Sequence, residues 1–182
     1  MRYLGASNTA AWQFTKALYL ADAHGWARFI SMQNHYNLVY REEEREMNPY
    51  CAKSGVGLTP WSPLARGILA GSYRGGFERG STDRSKGGDR MRTQSLYTGA
   101  RTFEIADRVV KLAEKYGRTP AQISLAWLLG KPEVHAPVVG VSRVEQLEQL
   151  VAATEISLDA ADVAHLEELY QPVPNLLSLG FS

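Results

Sequence analysis

Cysteine occurs once, at Cys51, so the chain cannot close an internal disulfide, and its thiol content fits a reducing compartment such as the cytoplasm. Charge of one sign is also scarce. Twenty Lys and Arg stand against nineteen Asp and Glu, and a net charge of +1 gives no electrostatic reason to bind nucleic acid or an anionic membrane. Apolar runs stop well short of the roughly 18 residues that span a bilayer. The opening "MRYLGASN" carries neither an apolar signal region nor an amphipathic basic leader. Histidine is limited to His24, His35, His135 and His165, too scattered to share a metal, and no Cys or carboxylate cluster completes a set. RNA-binding segments rich in RGG are represented by one tripeptide, Arg74 to Gly76.

What is present is an apolar content of 45% in 182 residues, enough for the core of a single domain over 1–182. Short apolar runs alternate with amphipathic stretches, which predicts an α/β fold with parallel strands. "RYLGAS", the centre of "ARFISMQNHYNLV", "VGLTPWSPL" and "APVVGVS" read as four strands. Helices are expected at Thr9 to His24, through "REEEREMNPYCAKSG", at Arg101 to Tyr116, at Ala121 to Leu129 behind a Thr119-Pro120 cap, from Ser142 to Ala153, and after Asp159. The acidic run "REEERE" reads as a solvated helix face. Residues 71–92 are Gly- and Arg-rich. From Ser72 to Arg92 five Arg and one Lys outweigh one Glu and two Asp, a net +3, which predicts a flexible loop or functional lid. Four strand–helix units make half of an eight-stranded barrel or a small open sheet.

"LGASN", "SMQNHYNL", "REEEREM", "VGLTPWSPLARG" and "PVVGVSRVEQLEQ" occur in this order along essentially the whole chain. Together they resemble the C-terminal half of an aldo-keto reductase, in particular fungal aryl-alcohol dehydrogenase-like and norsolorinic acid reductase-like members. The resemblance implies a partial, half TIM-type barrel: strands five to eight with extra C-terminal helices, from a family that reduces aldehydes and ketones with NADPH. Carried over position by position, it implies that Ser7 and Asn8 hydrogen-bond the nicotinamide carboxamide and that Gln33 orients it. Trp61 would stack on the ring, while Ser62, Leu64 and Gly67 pass beside the pyrophosphate. Gly140, Ser142, Arg143 and Gln146 would hold the adenosine end, with Arg143 near the 2′-phosphate. A helix opening at Ser142 and a guanidinium beside it independently favour a phosphate.

The chain departs from the family at three places. A glutamate–asparagine pair beyond Gln146 is here Gln149-Leu150, and a lysine after the tryptophan strand is here Ser72, with Arg74 as a stand-in. No residues match the family's catalytic Asp, Tyr, Lys and His, which the resemblance puts in the first half of the barrel. Without the tyrosine, hydride transfer to a carbonyl lacks its proton source.

Each motif also has a plainer reading. Trp61 serves equally well as a core aromatic, and Ser7-Asn8 or Ser142 as helix caps. His35 and Tyr36, next to each other after Gln33, are the candidates for an improvised acid–base pair, although a packed aromatic explains Tyr36. Neither Tyr3, Tyr36 nor Tyr40 has a lysine partner in view, and Lys53 lies on another segment. Three functions follow: an aldo-keto reductase-like chain that keeps the NADP(H) half and has lost ordinary reduction; a repurposed enzyme catalysing cyclisation, dehydration or isomerisation of a flat, polyketide-like molecule in the former cofactor groove; or a non-catalytic partner that completes a barrel with another chain. Two open strand edges predict association, most simply a homodimer.

Overall fold

The computed structural model describes residues 2–79 and 88–175. Its centre is a parallel sheet of three strands in the order β1 (Leu4–Ser7), β2 (Phe29–Gln33), β3 (Gly57–Leu58). Gly5, Ala6 and Ser7 pair with Ser31, Met32 and Gln33, and Ser31 and Met32 pair with Gly57 and Leu58. Helix α1 (Ala11–His24) joins β1 to β2 and buries Phe14, Leu18 and Ala21, the stripe its spacing predicts. Gly25 stops it at φ 65°, a left-handed cap that favours glycine.

The acidic run departs from expectation. It forms a short 3-10 turn, Glu42–Glu44, followed by helix α2 (Met47–Ser54), and it is not a solvated face. Glu42 and Glu43 are only 6% and 8% exposed. Glu42 tolerates burial because the Tyr170 hydroxyl (2.7 Å) and the Val173 amide (2.9 Å) donate to its Oε1, while Arg45 pairs with its Oε2 at 3.0 Å.

The fourth expected strand is reduced to single bridges, Leu58 with Val134 and Trp61 with Val138. Pro60 and Pro137 supply the reason. Neither has an N–H to donate, so the ladder is broken on both sides, and contact persists only through bonds such as Val138 N to Pro60 O at 2.8 Å. The same prolines shorten β3.

Beyond β3 a 3-10 segment (Ala65–Ala70) leads into the Gly- and Arg-rich stretch. Phe77–Arg79 form another 3-10 turn and α3 runs over Gly88–Leu96, so both flanks of the expected loop carry helical structure, and 80–87 lie outside the described residues. Helices α4 (Thr102–Tyr116) and α5 (Pro120–Leu129) pack on each other and on the 3-10 segment Ala65–Ala70. Helix α5 is apolar around most of its circumference, and its residues Gln122 to Leu128 are buried. Its cap is reciprocal, Thr119 Oγ1 accepting from Gln122 N at 3.2 Å and Gln122 Oε1 accepting from Thr119 N at 2.9 Å. The chain then forms α6 (Val144–Val151), a 3-10 turn (Ala152–Glu155) and α7 (Ala160–Glu167). Ser142 does not open α6, which starts after Arg143. Its amide and hydroxyl instead meet Gln146 Oε1 at 3.0 and 3.2 Å.

Among the described residues no helix is long and apolar enough to cross a membrane.

Candidate functional site

The carboxyl ends of all three strands face one cleft of about 280 Å³. Ser7, Asn8, Gln33, Asn34, His35 and Trp61 line it, so four of the residues singled out for nicotinamide binding and one proposed catalytic residue come together. Glu43, Arg66, Arg92 and Asn175 close other parts of the wall. Strand ends are where a parallel α/β sheet opens its loops, and the cleft lies where that rule puts a ligand.

Ser7 and Asn8 are not helix caps. The Ser7 hydroxyl donates to Gln33 O at 2.9 Å, and Asn8 Oδ1 accepts from the Trp61 indole N–H at 2.9 Å. Asn8 holds a left-handed backbone at φ 47°, and Ser62, Ala65 and Arg66 follow at 52°, 48° and 54°. Among the described residues, all four non-glycine positions in this strained region lie where β1 and β3 run into their loops. Gly67, at φ 102°, fits the same turn because a side chain there would approach Ser72 Oγ to 3.1 Å.

His35 lies between two rings. Its centroid is 4.0 Å from that of Trp61 at an interplanar angle of 11°, and 4.3 Å from that of Tyr40 at 16°. His35 Nε2 meets the Tyr97 hydroxyl at 2.9 Å, and Asn37 Nδ2 ties the group to Ser62 O at 2.9 Å. Burial lowers the His35 pKa to about 3, so the ring is neutral throughout the physiological range. Its Nδ1 has no partner.

Tyr36 points the other way, as alternation along an extended segment demands. Its hydroxyl donates to Glu44 Oε1 at 2.6 Å and its ring packs on Trp127, so His35 and Tyr36 do not meet as an acid–base pair. Burial first, then the bond to Glu44, raises its pKa above the ordinary phenol range.

The rest of the predicted set lies outside the cleft lining. Ser62, Leu64 and Gly67 occupy the turn after Trp61, and Gly140, Ser142, Arg143 and Gln146 continue from Val138, whose backbone bridges to Trp61. Arg143 is exposed, and Gly140 has open space where a Cβ would stand. Among the described residues no group of three His, Cys, Asp or Glu could share a metal ion.

Sequence reasoning missed Asn34, Asn37, Glu43, Arg66 and Tyr97. Glu43 is the most consequential. It sits in the cleft wall with no hydrogen bond or ion pair, and burial, then repulsion from Glu42, pushes its pKa up to about 7. Nothing distinguishes it by letter from its neighbours in "EEE".

A parallel α/β sheet with an aromatic-walled, amide-lined cleft at its strand ends is the arrangement in which α/β proteins generally place a ligand site. The particular family follows from sequence: the profile of the aldo/keto reductase family matches residues 1–171, and the chain belongs to that family. A Schizosaccharomyces pombe protein named as an aryl-alcohol dehydrogenase is 49% identical over 176 residues, 96% of this chain and 48% of that protein. The versiconal hemiacetal acetate reductase of Aspergillus parasiticus is 43% identical over 94% of this chain and 49% of its own. An aldo-keto reductase of Metarhizium robertsii is 44% identical over 94% of this chain and 45% of its own. The chain thus spans about half the length of the relatives it matches.

Proposed function

We propose that this chain is the NADP(H)-holding half of an aldo-keto reductase-type barrel, resident in the cytoplasm and without ordinary carbonyl reduction of its own. One observation carries the reading: Ser7 and Asn8 from β1, Gln33 from β2 and Trp61 beyond β3 converge on one cleft. The residues fit a flat carboxamide. Asn8 Nδ2 and the Gln33 side-chain amide make no hydrogen bond to any described residue, while the second Asn8 atom is already used to fix the indole. His35 covers one face of Trp61, which leaves its other face and edge for a ring. A bound nicotinamide would supply a hydride. The chain's own residues orient it, and no tyrosine–lysine pair stands in the cleft lining to deliver the matching proton.

Calorimetric titration with NADPH tests this reading. Weak binding is expected, with dissociation constants on the order of tens to hundreds of micromolar, or about 5–6 kcal/mol. Absence of binding at millimolar cofactor overturns the reading. Turnover of an aromatic aldehyde near the usual ~10 per second would overturn the loss of reduction.

A second reading, association with a second half-barrel (most simply another copy), is favoured by exposed apolar groups at both ends of the sheet. Tyr3, Trp12, Tyr19, Trp26 and Ile30 are exposed around β1, α1 and β2, and Val138, Val141, Val144 and Leu147 at the opposite end. Light scattering that returned a monomer at micromolar concentration would remove it.

A further inference from the structure

Trp61 is held in two directions. At its edge the indole N–H donates to Asn8 Oδ1 at 2.9 Å. On one face lies His35, and behind His35 lies Tyr40, the three rings nearly parallel. An edge bond alone lets a ring tilt about it, whereas a parallel neighbour opposes the tilt. The stack therefore passes on to Trp61 whatever fixes His35. That residue is Tyr97, which follows α3 and lies outside the cleft lining. Its hydroxyl meets His35 Nε2 at 2.9 Å, and both side chains are buried.

The sense of that bond follows from Asn37. Its Oδ1 accepts from the Val39 amide at 3.0 Å, and its Nδ2 donates to Ser62 O at 2.9 Å. Both partners are backbone groups of fixed polarity, so the side-chain amide cannot be turned over. The same Nδ2 faces Tyr97 Oη and His35 Nε2, each at 3.3 Å. An amide nitrogen only donates, which requires Nε2 to be bare and the Tyr97 hydroxyl to aim its proton at it. The imidazole is then neutral, with its proton on Nδ1, an atom without a partner among the described residues.

We propose that Tyr97 is a positioning residue for Trp61, acting through His35: its hydroxyl locks one tautomer of the imidazole, and the locked ring holds the indole in its orientation at the cleft. Arg92 and Leu96 of α3 line the same cleft, and the buried Thr93 accepts from Arg66 Nε at 3.2 Å. The helix that walls the cleft thus also sets the tilt of its indole, through the residue just beyond its last turn. Tyr97 itself touches no ligand. Its effect reaches any ring that stacks on the free face of Trp61, and for a nicotinamide ring this rests on the proposed binding of NADP(H).

The first test needs only the native full chain, so it survives a variant that fails to fold. In long-range proton–nitrogen NMR with labelled histidine, His35 should show a protonated Nδ1 and a bare Nε2, and the opposite tautomer overturns the proposal. The second test follows the indole N–H of Trp61, assigned by its loss in Trp61→Phe. Tyr97→Phe should speed solvent exchange of that proton about fivefold and leave the indoles of Trp12 and Trp26 unmoved. Ser124→Ala is the control for general loosening, since it removes another buried hydroxyl, one that reaches Leu69 O at 3.1 Å and Pro120 O at 2.9 Å. An unchanged Trp61 rate in Tyr97→Phe, or an equal rise in Ser124→Ala, overturns the proposal. Calorimetry with NADPH and NADH adds the ligand. Tyr97→Phe should weaken both by the same factor, about fivefold, because both carry the ring that would stack on Trp61. Undiminished affinity, or a loss confined to one cofactor, also overturns it. If the native chain binds neither cofactor, the cofactor reading falls, and the indole exchange rate still decides the role of Tyr97.

Discussion

Two sets of polar groups that wholly or partly leave water meet along residues 34–44, and they are handled in opposite ways. Behind the sheet, Arg41 forms a two-pronged contact with Glu44 at 2.9 and 2.8 Å and reaches Glu167 Oε2 at 3.2 Å. Glu167 Oε1 also accepts from Trp127 Nε1 and Lys131 Nζ, each at 2.7 Å. Burial works against the Glu167 charge, yet the bonds from Lys131 and Trp127 hold its pKa below the usual value. In the cleft, Asn34 Oδ1 and His35 Nδ1 are buried without a partner, and the Glu43 carboxyl makes no hydrogen bond or ion pair with a described residue. The difference teaches how to tell scaffold from site by hydrogen-bond accounting: the scaffold network is closed, and the site is open.

The largest test falls on the closed network. Arg41→Met leaves Glu44 without either of its guanidinium bonds and removes one from Glu167. Removing three charge-assisted bonds from two half-buried carboxylates should cost about 3–5 kcal/mol of stability, read from urea unfolding. A loss under about 1 kcal/mol would mean that the network is a bystander, and the contrast with the cleft would fail.

Next in size is a change in the open set that should stabilise. The Glu43 pKa is raised in the folded chain, to about 7, from the ordinary carboxylate value. Between those limits the native state holds a proton that the unfolded state has released, so stability falls as pH rises and levels off above pH 7. Below the unfolded value both states are protonated and nothing is lost. Glu43→Gln should therefore match the native chain near pH 4 and exceed it by about 3 kcal/mol at pH 8. His35 runs the other way. Its pKa is depressed to about 3, so its contribution is present above its unfolded value near 6.5 and lost as pH falls toward 3. The two are separated by comparing the Glu43→Gln difference, in which His35 cancels.

This contrast also marks what was legible beforehand. Helix α4 and the capped start of α5 were readable because a 3.6-residue stripe and a Thr-Pro cap are local signals, set by residues a few positions apart. Ser7, Asn8, Gln33 and Trp61 were readable by family resemblance, and the cleft lining unites them. Glu43 was not, because three successive glutamates look alike until Tyr170 and Val173, about 130 residues away, choose which one to neutralise. The fourth strand was over-read from its valines. Apolar alternation says which face is buried, but Pro60 and Pro137 decide whether a ladder can form.

A smaller effect is expected at Tyr36→Phe. The hydroxyl gives Glu44 one bond, at 2.6 Å, while Arg41 retains two, so the closed network stays charged and paired. The loss should be about 1.5–2 kcal/mol, near the lower end for a bond to a charged group. The phenylalanine ring keeps its packing on Trp127, so circular dichroism should not change. A loss as large as that of Arg41→Met would show the hydroxyl, rather than the guanidinium, to be the keystone.

The smallest effect concerns a charge that belongs to neither set. Arg143 is exposed, precedes α6 and makes no ion pair with a described residue. Its removal should leave stability within about 0.5 kcal/mol, as for surface positions generally. Its proposed work is on the ligand. The free N–H groups at the start of α6 and the guanidinium together would favour a 2′-phosphate. Solvent screening at an exposed site opposes this, which argues for the low end of a charged hydrogen bond. Arg143→Ala should weaken NADPH binding by about 1 kcal/mol, roughly fivefold, and leave NADH unchanged. Calorimetry with both cofactors on both proteins measures the difference. Equal losses would show that Arg143 does not read the 2′-phosphate, and a loss of stability would move it from the ligand's side of the comparison to the scaffold's.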